Sequence, residues 1–247
     1  MPQKKRYGFV IDITRCIDCR ACLVACSVEN SVSMEHTRIW VHDLGLQGEF
    51  PALSRKFMPY NCMHCDNPPC TEVCVSGATY KDPENGLVLV DQEACIGCGF
   101  CVDACPYNAR YLDEARGVVD KCTACVQRLE VGMQPACVAT CVGGSRLFGD
   151  FNDPDSEVSQ AIKNARSVQR FDLEYKEGVS TGPNIYYING DVLQSGLGPH
   201  LPRYTASEQV WKKGLVPLMA AAVGGAFLVQ ATYFTKQLIE GEKEYDE

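Results

Sequence analysis

Short apolar runs broken by turn-forming residues dominate the first 150 positions. TRIWVHD from Thr37, GLVLVD from Gly86 and RYLD from Arg110 have strand character, and the DPENG and DEARG segments supply the Asp, Asn and Gly that tight turns require. These stretches predict hairpins. Further on, GGSRLFGDFNDPDSEVSQAIKNA passes through a turn into a short amphipathic helix from Ser156 to about Arg166, with Asp155 or Ser156 as its cap. Residues from about 167 to 210 are rich in Gly, Pro and Tyr and read as an extended arm lying on a partner. A different pattern follows: GLVPLMAAAVGGAFLVQATYFT, Gly214 to Thr235, runs 22 residues without a charge, long enough to span a bilayer as one helix. Within it Ala220, Ala221 and Ala222 precede Gly224, Gly225 and Ala226 at four-residue spacings, a pattern that lets another helix approach closely. Pro217 stands near the helix start, where proline is tolerated, and EGEKEYDE is a solvated charged tail.

Charge removes one class of partner. With 23 basic and 31 acidic residues the net charge is -8, and no Lys or Arg run is dense enough for a nucleic-acid surface. The start, MPQKKRYGFVIDITRC, is basic but has no apolar run of signal-peptide length before the first cysteine. Lys212 and Lys213 precede the apolar span and Lys236 and Lys243 follow it, so the positive-inside rule gives no orientation.

The sixteen cysteines carry the chemistry, all of them before residue 142. They form four groups: Cys16, Cys19, Cys22, Cys26; Cys62, Cys65, Cys70, Cys74; Cys95, Cys98, Cys101, Cys105; and Cys122, Cys125, Cys137, Cys141. The first and third groups follow C-x2-C-x2-C-x3-C, the bacterial ferredoxin run, and Pro106 closes the third. Three thiolates on a curling loop grip one cubane, and the fourth, starting a helix, faces away to a neighbouring cluster. In the second and fourth groups the third spacing is lengthened, with Pro68 and Pro69 shaping one insertion. Eight disulfides suit a short secreted chain rather than repeated two-residue spacings, and four Cys within eleven residues wrap awkwardly on one tetrahedral zinc. Dense soft thiolates point to iron–sulfur clusters. Small or apolar residues between the ligands, Ile17, Ala21, Ile96, Gly97 and Gly99, suit backbone packed against a cluster.

The strings IDITRCIDCRACLVAC, YNCMHCDNPPC, CIGCGFCVDACPYNAR and KCTACVQRLEVGMQPACVATC resemble the four-cluster electron-transfer (beta) subunits of membrane-bound molybdopterin oxidoreductases, the polysulfide/thiosulfate reductase, DMSO reductase and formate dehydrogenase type. The resemblance covers about residues 7 to 150. It implies an α+β fold of two bacterial-ferredoxin-like modules, one inserted in the other: a cluster domain over 1–150 with the inner module at about 55–115, then an arm over 151–210, a transmembrane helix over 211–237 and a charged tail over 238–247. Carried over by position, it implies four [4Fe-4S] clusters. One is held by Cys16, Cys19 and Cys22 with Cys141, and its neighbour by Cys122, Cys125 and Cys137 with Cys26. In the inner module Cys62, Cys65 and Cys70 pair with Cys105, and Cys95, Cys98 and Cys101 with Cys74. The sequence departs from the pattern where Ser27, Val75 and Val142, rather than proline, follow the fourth cysteine.

The same resemblance implies an electron relay between a catalytic molybdopterin subunit and an integral membrane quinone-reactive or cytochrome subunit, not an enzyme by itself. The alternative is a membrane-tethered ferredoxin subunit of a hydrogenase or other non-molybdenum respiratory complex. Family analogy places the clusters on the extracytoplasmic face, the cytoplasmic face being the alternative. Arg15, Arg20, Arg110, Lys121 and Arg128 flank ligands, where positive charge raises a cluster's potential or serves as ordinary surface charge. His36, His42, His64 and His200 show no ligand spacing, and no Walker loop, GxGxxG or GxSxG is present.

Overall fold

The computed structural model describes residues 4–191 and 216–240. These fall in two compact units, Met1–Leu201 and Pro202–Glu247. The first begins with β1 (Tyr7–Asp12) and turns through the first cysteine group into α1 (Ala21–Glu29). The hairpin of β2 (Ile39–Gln47) and β3 (Ser54–Asn61) follows in the register Ile39↔Asn61 to Gln47↔Ser54. After α2 (Pro69–Glu72) come the hairpin of β4 (Thr79–Lys81) with β5 (Val88–Val90), helix α3 (Phe100–Asp103), and the hairpin of β6 (Arg110–Asp113) with β7 (Val118–Lys121). Both expected turn segments join the strands as the sequence anticipates. Helices α4 (Val126–Leu129) and α5 (Ala136–Ala139) carry the last cysteine group.

Strand β8 (Arg146–Asp150) then returns antiparallel to β1. Helix α6 (Glu157–Asn164) starts where expected, the Ser156 hydroxyl accepting the Ser159 N–H at 3.3 Å. Beyond it the expectation of an extended arm fails as far as residue 191. Strands β9 (Val168–Gln169), β10 (Glu174–Lys176), β11 (Val179–Ser180) and β12 (Ile185–Ile188) fold back onto the cluster-bearing part. The reason lies in IYYI: Ile185, Tyr187 and Ile188 are buried, and β12 pairs parallel with β1 from Phe9↔Ile185 to Asp12↔Ile188. The sheet order is β8-β1-β12-β9. Phe9 and Ile11 face the main core, where Phe9 packs on Phe148 at 4.8 Å between ring centroids. Val10 faces the other way, onto Val158 of α6 and Ile188. A strand covered on both faces needs a continuous apolar run rather than alternation, and FVI supplies it.

A buried ion pair closes the neck of this unit. Arg38, just before β2, donates to Asp120 of β7 at 2.7 Å, so the segments entering and leaving the second and third cysteine groups are tied together. The second unit contains α7 (Val216–Glu240), exposed from Gly224 to Lys236. Among the described residues no helix is long and apolar enough to cross a membrane; the charge-free run begins at Gly214, outside them. The rest of the expected arm at 192–210, the first residues of the expected span at 211–215, His200 and the end of the tail at 241–247 also lie outside the described residues.

Candidate metal centres

Each cysteine group is built on the same backbone device. The second residue after the first cysteine is left-handed in all four groups: Asp18 (φ 53), His64 (φ 45), Gly97 (φ 66) and Ala124 (φ 54). Such a residue curls the chain so that backbone N–H groups turn inward, forming an anion-binding concavity. The N–H of Ala124 points at Cys122 Sγ at 3.4 Å, and that of Asp18 bonds the Cys16 thiol. Gly97 admits no alternative, since a Cβ there would lie 2.3 Å from the Gly117 carbonyl oxygen. A helix takes over before the third cysteine: Cys22 lies in α1, Cys70 in α2, Cys101 in α3 and Cys137 in α5. The fourth cysteine therefore does not start a helix as expected; Cys74, Cys105 and Cys141 follow one and Cys26 lies inside α1.

The groups interleave in space. Cys16, Cys19, Cys22 and Cys141 line one concavity, together with Arg15 and Arg146. Cys62, Cys65, Cys70 and Cys105 line a second, with Pro68, Tyr107 and Arg110. Cys26 belongs elsewhere: the thiols bearing on it are Cys137 and Cys125, and Asn30 Nδ2 reaches both Cys26 Sγ and Cys125 Sγ at 3.6 Å. Cys122 feels Cys26 and Cys137 most among the thiols. Cys95 and Cys98 occupy the loop entering α3, Cys101 lies in α3, which packs on α2, and Cys74 follows α2, accepting the Thr79 N–H at 3.2 Å. Among the described residues no three His, Cys, Asp or Glu side chains converge on a point as one metal ion requires. The thiols surround volumes instead.

Electrostatics test whether an anionic cluster fits those volumes. Burial pushes the Cys26 and Cys70 thiols up to about 12, and it raises Cys65 and Cys105 too, so without metal these sites favour neutral thiols. Yet the same region buries three cations with no carboxylate partner among the described residues: Lys121 (1% exposed), Arg146 (2%) and Arg110 (3%). Nε and Nη1 of Arg146, and Nε and Nη2 of Arg110, have no hydrogen-bond acceptor. A buried guanidinium with idle N–H groups is costly unless negative charge faces it. Cluster-bound thiolates provide that charge, so the residues fit [4Fe-4S] clusters.

Sequence reasoning anticipated part of this cation set. Arg110 and Lys121 are buried as a role beside ligands demands, whereas Arg15 and Arg20 are exposed, Arg20 pairing with Asp18, and Arg128 pairs with Glu29 at 2.8 Å. Arg146, Arg38 and Asn61 were missed, because nothing in their spacing separates them from surface residues. His64 has the structural role expected of it, its Nδ1 accepting the Val88 N–H at 3.1 Å while burial holds the imidazole well below its ordinary value.

The 4Fe-4S dicluster domain family matches residues 53–151, and the 4Fe-4S binding domain family matches residues 13–29. The B subunit of tetrathionate reductase from Salmonella typhimurium is 41% identical over 189 residues, 76% of this chain and 74% of that protein. The B subunit of sulfite dehydrogenase from Allochromatium vinosum is 39% identical over 229 residues, covering 83% and 91% respectively. The Escherichia coli protein NrfC is 38% identical over 184 residues, covering 74% and 80%.

Proposed function

This chain belongs to the family of [4Fe-4S] electron-transfer (beta-type) subunits of molybdopterin oxidoreductases, and on that premise we propose how its residues divide the work. It relays electrons within an oxidoreductase complex and leaves catalysis to another subunit. Cys16, Cys19, Cys22 and Cys141 hold one cluster, and Cys122, Cys125, Cys137 and Cys26 its neighbour. Cys62, Cys65, Cys70 and Cys105 hold a third, and Cys95, Cys98, Cys101 and Cys74 a fourth. Two concavities, each lined by three cysteines of one group and the last of another, are the observation that supports this division. When bound, each cluster supplies one-electron exchange. The chain's own residues provide thiolates, N–H donors such as those of Asp18 and Ala124, and buried cations that offset the accumulated anionic charge.

The electrons run between a catalytic molybdopterin subunit and a quinone-reactive or cytochrome subunit in the membrane. The uncharged run Gly214–Thr235 supports a lipid anchor, since about 20 apolar residues suffice to span the hydrocarbon. Family analogy supports an extracytoplasmic cluster domain, which protease added to spheroplasts would digest and a cytoplasmic one would escape. Iron and acid-labile sulfide analysis of the purified complex tests the core of the reading, with about sixteen irons per chain expected from four cubanes. A count near eight, or quinone-linked turnover that survives deletion of the chain, overturns it.

A further inference from the structure

Arg146 begins β8 immediately after the last cysteine group, and its guanidinium is fully enclosed. Two contacts fix it: it stacks on the Phe9 ring at 5.4 Å and its Nη2 donates to Asn61 Oδ1. The thiols its charge bears on most are Cys137, Cys22 and Cys122. It also lines the concavity of Cys16, Cys19, Cys22 and Cys141. One cation therefore stands between two ligand sets, and no carboxylate of the described residues lies within ion-pair distance of it. Asn61 extends the arrangement. Wholly buried, it donates through Nδ2 to Cys122 Sγ at 3.6 Å and to the Cys62 carbonyl at 3.0 Å, and it is peptide-bonded to Cys62. Because Arg146 holds the amide oxygen, the amide cannot flip, and its N–H₂ stays aimed at sulfur.

We propose that Arg146 is the potential-setting residue shared by the two sites of Cys16/Cys19/Cys22/Cys141 and Cys122/Cys125/Cys137/Cys26, with Asn61 as the positioning residue that carries its influence to Cys122. The proposal rests on those ligand sets. A fixed positive charge favours whichever oxidation state is more negative, and in a buried site little solvent or salt screens it. Hydrogen bonds to cluster sulfurs act in the same direction. Arg110 holds a comparable place in the inner module, lining the concavity of Cys62, Cys65, Cys70 and Cys105 and donating to Thr79 Oγ1 at 3.1 Å, whose N–H reaches Cys74 Sγ, while the Lys121 ammonium is engaged by the Val88 and Cys122 carbonyls.

The test is an electron-paramagnetic-resonance redox titration of the whole complex. Arg146→Gln lowers two of the four midpoint potentials, so that at each native midpoint the reduced-to-oxidised ratio falls at least tenfold, about 59 mV for a one-electron couple. The other two signals stay in place. Arg146→Lys keeps the charge and moves the same two signals less than Gln does. Asn61→Leu lowers only one, that of the Cys122 site. Unmoved potentials with a full complement of iron overturn the proposal, as does a Lys variant that shifts as far as the Gln variant. If Arg146→Gln fails to assemble, Asn61→Leu and Arg146→Lys decide: an unmoved signal in Asn61→Leu refutes it. A wrong ligand division would announce itself separately, as the wrong cluster missing in Cys26→Ser rather than intact clusters at native potentials.

Discussion

Removing the Asp120 carboxylate tests how firmly the neck of the cluster domain is held. Arg38 donates to its two oxygens at 2.7, 2.9 and 3.1 Å, and the side chains are only 6% and 1% exposed. Tyr111 Oη at 2.6 Å, Arg116 Nη2 at 3.1 Å and the Lys121 N–H at 2.8 Å converge on the same carboxylate. Asp120→Ala strands a buried guanidinium, at a cost of about 3–5 kcal/mol, and leaves a hydroxyl without its acceptor, about 1 kcal/mol more. Against a domain stability of about 5–15 kcal/mol, that is a quarter or more of the total. At about 1.4 kcal/mol per factor of ten, the open population rises between about 10³- and 10⁴-fold. Cluster proteins unfold irreversibly, so the readout is the rate at which visible absorbance bleaches at fixed temperature with an iron chelator present, which rises in proportion. The double variant Arg38→Met, Asp120→Leu removes both charges and bleaches near the native rate. A single variant bleaching as slowly as the native protein, or a double variant as fast as the worse single, refutes this account of the neck.

Four further outcomes follow from the same geometry. Cys26→Ser loses the cluster of Cys122, Cys125 and Cys137 and spares that of Cys16, Cys19 and Cys22, because Cys26 faces Cys137 and Cys125; spectroscopy showing the opposite loss would disprove the pairing. Gly97→Ala brings a Cβ to 2.3 Å from the Gly117 oxygen at φ +66, so the Cys95/Cys98/Cys101 loop is displaced and iron analysis falls by about one cubane. Burial, helped by Lys121, Arg110 and Lys81, depresses the His64 imidazole well below 6.5, so the unfolded chain takes up a proton that the folded chain refuses. Stability is therefore complete above pH 6.5 and declines by about 1.4 kcal/mol per unit below it; bleaching measured from pH 7.5 to 5.5 accelerates accordingly in the native protein and less in His64→Asn. Truncation after residue 210 moves the subunit from the membrane pellet to the soluble fraction while its iron content is unchanged, and retention in the pellet would show that the anchor lies elsewhere.

What the sequence made legible and what it hid have separate physical causes. Cysteine spacing reports directly on loop curvature, so the groups were readable down to the residue, and turn chemistry placed the hairpins of β4 with β5 and β6 with β7. The stretch around IYYI misled because tyrosines beside glycines and prolines look like surface recognition, whereas Tyr187 and Ile185 are fully enclosed against β1. Proximity in the sequence picked five cations beside ligands, but burial decides which ones matter, and only Arg110 and Lys121 are enclosed. Arg146 and Asn61 are separated by 85 positions, so their contact exists only once β8 lies beside β1. The helix starts were misjudged by a few residues because the third cysteine, rather than the fourth, already lies in helical geometry.

The parallel pairing of β1 with β12 has a consequence for biosynthesis. Strand β1 is made first, yet its two partners are residues 146–150 and 185–188. At about 5–20 residues per second, a ribosome needs about 10–35 s to travel from one edge of that arrangement to the other. All sixteen cysteines have been made by residue 141, before either partner strand exists. The nascent chain therefore presents every thiol while its first strand is still unpaired, and the sheet that buries Arg146 closes last. Iron delivery therefore has an interval in which the buried thiols, Cys22, Cys26, Cys122 and Cys137 among them, are not yet enclosed by that sheet.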